Sequence, residues 1–290
     1  MTTPTTTTHL PARQEPRPPD VRLPGLARLA LVRTRLEMVA FLRERDAVFF
    51  ILAYPVVLMA IFASVFGQEV QSDGGVEIDF AQYFLPGMVA TGVMLSSFQT
   101  LAIAIAVERD DGSLKRLRAT PLPAAAYFLG KIGQVLLVST VQTAALLAMA
   151  ALAFDVPLPD EPGRWLTFAW VFLLGTATGT VCGVGFSSLP RSGRSATAVV
   201  TPVVIVLQFI SGVFFAFYAL PSWMQDVASV FPLKWMAQGM RSVFLPEDAV
   251  MMEPSGSWQH AATAAVLVAW LVVGLVVGVR TFRWRRRDDG

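Results

Sequence analysis

The chain contains no asparagine, so it offers no N-glycosylation acceptor. Cysteine occurs once, at Cys182, which excludes an intramolecular disulfide and a cysteine-based metal site. Cys182 stands inside an apolar run, where a thiol behaves as a small hydrophobe. The two histidines, His9 and His260, are too far apart in sequence to suggest a zinc pair. Charge is scarce: Asp, Glu, Lys and Arg make up 15% of the 290 residues, against roughly 25% in a soluble domain. Lysine is confined to Lys115, Lys131 and Lys234.

What fills the chain instead is oil. Hydrophobic residues make up 54%, and the mean hydropathy is +0.56, which points to an integral membrane protein. A hydrocarbon core about 30 Å thick needs about 20 apolar helical residues. Six runs meet that length, at about 47–67, 84–106, 126–154, 165–189, 195–217 and 261–281. Their cores hold no Asp, Glu, Lys or Arg; Lys131 and Arg280 stand at ends and are expected to snorkel toward water. The first run begins near Ala47 behind a polar lead, so no cleavable signal peptide is expected.

The predicted organisation has four parts. Residues 1–24, rich in Thr and Pro, read as a disordered cytoplasmic tail. Residues 25–46 read as an interfacial amphipathic helix, with Leu29, Val32, Leu36, Val39 and Ala40 on its apolar face and Arg28, Arg35, Glu37, Arg43 and Glu44 on its polar one. Residues 47–281 form the six-span membrane domain, and 282–290 a basic cytoplasmic tail. Twenty of the 23 Lys and Arg residues fall in segments on one side of the spans; only Arg164, Lys234 and Arg241 fall on the other. That bias predicts a multi-pass plasma-membrane protein with both termini cytoplasmic. The outer segment 218–260 is too apolar for a solvated loop and is broken by Pro221, Pro232 and Pro246. Two short amphipathic pieces, about 222–230 and 233–244, predict an extracytoplasmic re-entrant or surface-lying helical hairpin packed on the spans. Trp223 and Trp235 suit an aromatic belt. The expected fold class is therefore all-α integral membrane.

Enzyme chemistry finds little support. The one Gly-Lys pair, in "YFLGKIG", has Ala125 where a phosphate-binding loop needs its first Gly and Ile132 where it needs Ser or Thr. No paired carboxylates stand in the spans, and the absence of ionisable residues there argues against proton or sodium coupling. Energy for any transport must then come from another chain. Gly175, Gly179 and Gly183, with Gly274 and Gly278, form small-xxx-small steps, read as packing within the chain with a dimer seam as the alternative. Phe98, Gln99, Gln208 and Phe209 are candidates to line a path for an amphipathic substrate.

The remaining charge gathers in residues 108–123, "ERDDGSLKRLRATPLP". Gly112 permits a turn, Ser113 is the expected N-cap, and Pro121 stops the short helix. Leu114 and Leu117 share one face. Basic residues alone would fix topology and touch anionic lipid; the preceding acids, the cap and the Leu pair suit docking of a cytoplasmic partner.

Three features resemble the ABC-2 type transporter permeases, including those of the daunorubicin-resistance type. They are "ERDDGSLKRLRATPLPAAAYFLGK" after the second span, "SGVFFAFYALPSWMQDVASVFPLKWMAQGMR" before the last, and the layout of interfacial helix plus six spans. The resemblance covers about residues 25–285. It implies a permease subunit that exports an amphipathic drug, lipid or glycolipid, paired with a second copy as a homodimer and with two cytoplasmic ATPase subunits. ATP and Mg would be bound in those partners and no cofactor by this chain; membrane lipid is a partner and nucleic acid is not. Glu108, Arg109, Gly112, Leu114 and Leu117 would be coupling positions, with Asp111, Arg118 and Pro121 of the same loop. Pro221, Trp223, Pro232 and Trp235 would shape an outer gate. The alternative is a non-transporting membrane scaffold that recruits a cytoplasmic partner.

Overall fold

Each apolar run folds as a helix, which satisfies its own backbone where water is missing. The computed structural model describes residues 24–66, 71–73 and 76–282; the expected tails fall almost wholly outside them. Among the described residues six helices are long and apolar enough to cross a membrane. They are α2 (Arg45–Phe66), a second span made of α3 (Phe80–Met94) and α4 (Thr100–Asp110) joined by a π-helical turn at Leu95–Gln99, then α6 (Ala124–Ala153), α7 (Pro162–Phe186), α8 (Gly193–Ile210) and α11 (His260–Thr281). Shorter helices are α1 (Leu26–Arg43), α5 (Ser113–Arg118), α9 (Ser222–Val230) and α10 (Pro232–Phe244). A small antiparallel hairpin, β1 (Gln71–Asp73) and β2 (Val76–Ile78), pairs Gln71 with Ile78 between the first two spans.

Several span limits shift by a few residues from the sequence reading, and two of the shifts have a visible cause. The second span starts at Phe80 rather than near 84, because the Asp79 carboxylate accepts a hydrogen bond from the Ala81 N–H at 3.3 Å and caps the helix there. The fifth stops at Ile210 rather than near 217, where the chain turns through Gly212 at φ 72°.

The α3 segment is the centre of the fold. It is apolar all round and is buried along nearly its whole length against α2, α6, α7 and α10. Phe62 stacks on Phe80 and Phe84 at 6.5 and 5.0 Å between ring centroids. The π-helical turn below it seats on α7, where a Cβ at Gly183 would lie 2.8 Å from the Phe98 carbonyl oxygen. The glycines of α7 and α11 thus serve packing within the chain.

Helix α1 lies along α6, with Arg28, Arg35, Arg43 and Glu44 exposed as expected and Glu37 the exception. Glu37 and Phe41 are buried, while Val32, Leu36 and Val39 are exposed. The reason is that Glu37 has a buried cationic partner, described below. The end carrying α1, α5 and the α7–α8 link is called the basic end, and the end carrying the β-hairpin and α9 the hairpin end. Helix α10 is almost entirely buried, and the Trp270 indole donates to the Val230 carbonyl at 2.6 Å, tying the α9–α10 turn to α11.

Candidate functional site

At the basic end the last turn of α4 presents three consecutive charged residues in three directions. Glu108 accepts a hydrogen bond from the Tyr127 hydroxyl at 2.8 Å and another from the Lys131 ammonium. Lys131 also donates to Glu37 at 2.7 Å, and Glu37 pairs with Arg33 one turn back on α1. The Arg33 guanidinium stands 5.3 Å from the centroid of the Tyr127 ring. Two acids and two bases thus balance around one tyrosine. Lys131 is only 2% exposed, so it pairs inward and does not snorkel. Arg109 donates to the Ser187 and Pro190 carbonyls at 2.8 and 2.9 Å, on the α7–α8 link. Asp110 accepts from the Gly193 N–H at 3.0 Å, at the positive end of the α8 dipole. One helical turn therefore holds α1, α6, α7 and α8 together.

Beyond that turn the chain reverses at Gly112, φ 78°, and starts α5. The expected cap Ser113 is the first residue of the helix instead; the Asp111 carboxylate accepts its N–H at 2.7 Å. The Ser113 hydroxyl accepts from Arg116 at 3.0 Å. Leu114 is 1% exposed, packed with Leu101, Ile105 and Tyr127, so the expected docking knob is an internal anchor for α5. Half-buried Leu117 and exposed Pro121 border a cleft of about 310 Å³ shared with Leu29, Val32 and Leu36 of α1. The exposed residues of the loop up to Pro121 are Asp111, Lys115, Arg116, Arg118, Ala119, Thr120 and Pro121.

At the hairpin end Pro221 precedes α9, and Pro232 opens α10, where its fixed φ suits a first turn. Trp223 is 63% exposed, whereas Trp235 is buried and donates to the Ser229 carbonyl at 2.7 Å. Lys234 and Arg241, read from sequence as loop charges, are buried as well. The Lys234 ammonium donates to the Gln238 side chain and stands 3.7 Å from the Trp235 ring centroid. Burial pushes its pKa down to about 8; Glu253 opposes that shift and Arg241 adds to it. Arg241 donates to Glu253 at 2.6 Å and to the Gly212 carbonyl at 3.3 Å. Glu253 carried no sequence signal, since an acid in a loop is ordinarily solvated.

The four candidate path residues do not share one lining. Gln208 is buried and accepts from the Tyr54 hydroxyl at 3.2 Å, joining α8 to α2. Gln99 donates to Thr201 at 3.4 Å. Phe209 is 48% exposed and packs on Phe214 at 5.0 Å. Phe98 meets Phe186 edge-on at 5.3 Å and lines an apolar cleft between α7, α8 and α11. Among the described residues no group of three His, Cys, Asp or Glu side chains could hold a metal ion.

Comparison with known proteins joins this geometry to a family. The family described as ABC-2 type transporter matches residues 29–245. The "Inner membrane transport permease YadH" of Escherichia coli K12 is 23% identical over 234 residues, covering 78% of this chain and 88% of its own. The "Probable multidrug ABC transporter permease YbhR" of the same organism is 21% identical over 181 residues, covering 62% of this chain and 48% of its own. "ABC transporter G family member 20" of Dictyostelium discoideum is 24% identical over 203 residues, 69% of this chain and 26% of its own. The family match runs from α1 to the residue after α10, and the chain belongs to the ABC-2 type transporters, as a multi-pass permease subunit of an ATP-binding cassette transporter.

Proposed function

We propose that this permease exports an amphipathic drug, lipid or glycolipid, using ATP and Mg²⁺ bound by two separate cytoplasmic ATPase subunits, and that it works as a homodimer. The basic end faces the cytoplasm in this reading, and both termini lie there. The observation that carries it is the last turn of α4, wired by Glu108, Arg109 and Asp110 to α6, α7 and α8, next to an exposed face of Lys115, Arg116, Arg118 and Thr120. A partner that pushes on α5 moves Leu114 and the α4 turn with it, and the buried pairs pass the motion to the other spans. Glu108, Arg109, Asp111, Gly112 and Leu114 are then positioning residues, while Arg118, Leu117 and Pro121 stand nearer the partner. Helix α1 lies in the membrane interface with Val32, Leu36 and Val39 toward lipid, which accounts for their exposure. The re-entrant hairpin, shaped by Pro221, Trp223, Pro232 and Trp235, closes the outer side.

The test is a pull-down of the ATPase subunit with the full chain, run beside ATP-dependent uptake of a fluorescent amphiphile into inverted vesicles. Reversing the exposed charges, Arg116→Glu with Arg118→Glu, is expected to abolish both signals and leave membrane insertion intact. Unchanged uptake sinks the coupling assignment. ATPase binding by the unaltered chain without any uptake favours the scaffold reading instead.

A further inference from the structure

An open apolar cleft of about 310 Å³ lies between the π-helical turn, α7, α8 and α11. Its floor is the crossing of α7 and α11, where Gly274 comes so close that a Cβ there would stand 2.9 Å from the Cys182 nitrogen. Phe98, Phe186 and Val277 form the walls. Phe231, Met236 and Trp270 close the inner end, and Ser188 and Thr281 are the polar groups at the other. From Trp270 to Thr281 is eleven residues of α11, about 16 Å at about 1.5 Å each, or half of a hydrocarbon core about 30 Å thick. The cleft is therefore one leaflet deep.

Left empty, it would deprive its lining of dispersion contacts. Water finds no partners along such walls. A single hydrocarbon chain fits the shape. Charge stands close in sequence to the mouth: exposed Arg191 and Arg194 follow the lining residues Ser188 and Leu189 on the α7–α8 link and the start of α8, and exposed Arg280 precedes the lining residue Thr281 on α11. The nearby Asp110 is held by the Gly193 N–H, and Arg109 by two carbonyls. Basic pockets between membrane helices take anionic head groups. The geometry points to a binding site for one resident anionic phospholipid, with an acyl chain in the cleft and its phosphate at these arginines. The lipid would wedge between the α9–α10 turn and the second span, and this holds whatever substrate is moved.

The experiment uses the full chain in phosphatidylcholine nanodiscs doped with phosphatidylglycerol that carries a diazirine at the end of one acyl chain. Crosslinks are expected on the peptides of Cys182 and Trp270. Unlabelled phosphatidylglycerol should compete at least about fivefold better than phosphatidylcholine. Val277→Trp fills the cleft and should remove most of the labelling, whereas Val279→Trp, on a face 76% exposed, should not. Val273→Phe serves as a second filler should the first variant not fold. Replacing Arg191 and Arg280 by Gln should erase the preference for phosphatidylglycerol and keep the chain-end crosslinks. Labelling spread evenly over α2 and α6, or untouched by both fillers, overturns the site. Equal competition by the two lipids overturns the head-group assignment.

Discussion

Lys131 sits between Glu37 and Glu108 with almost no access to water, so its removal leaves a buried carboxylate, Glu37, and a half-buried one, Glu108, without the cation they share. Breaking a buried pair by deleting one partner costs about 3–5 kcal/mol. Lys131→Met is therefore expected to lower the thermal midpoint of the detergent-solubilised chain sharply. Adding Glu108→Gln should recover part of the loss, because Glu37 keeps Arg33. Gly183 allows a second residue-level prediction. A methyl group there meets the Phe98 backbone, which has no room to yield, so Gly183→Ala should cost about 1–3 kcal/mol by the same melt. Gly163→Ala, with open space around it, should cost far less. The small-residue spacing of α7 was legible in sequence, but the surface it packs on was not. Lys131 was misread because its partner Glu37 lies 94 residues away, and nothing local distinguishes a paired lysine at a span end from a solvated one.

Helices α9 and α10 were legible to within a residue, since prolines punctuate them and fix where each starts. Their depth of burial was less so: Lys234 and Arg241 look like loop charges until Glu253, Gln238 and Trp235 are seen around them. Burial holds the Lys234 ammonium at a pKa of about 8 against 10.5 when unfolded. Between those values the unfolded chain binds the extra proton, so this group makes stability rise with pH from about 8 to about 10.5. Below pH 8 both states are charged and the contribution is flat. Melting curves across that range should show the rise, and Lys234→Met should remove it. A slope unchanged by the substitution would assign the effect elsewhere.

The six spans were legible because a membrane imposes length and hydropathy on each of them. The asymmetry of Lys and Arg predicts the orientation but not the contacts that use those charges. Orientation can be read directly in a Cys182→Ala chain, which has no other cysteine. Lys115→Cys should react with a membrane-impermeant maleimide only after the cells are opened, and Glu247→Cys, on the exposed loop after α10, should react in intact cells. The opposite pattern would turn the molecule over and with it the side on which ATPase subunits dock.

The widened turn at Leu95–Gln99 also sets an angular phase. An α-helix advances about 100° per residue, and a π-helical turn holds one residue more than a regular one. Everything from Thr100 to Asp110 is therefore rotated by one residue's worth. In a straight helix the side chain aimed at Lys131 would be that of Val107, not Glu108. Straightening that turn into regular α-helix, with the sequence unchanged, would thus misdirect every charge at the end of the helix, about ten residues on, without touching any of them.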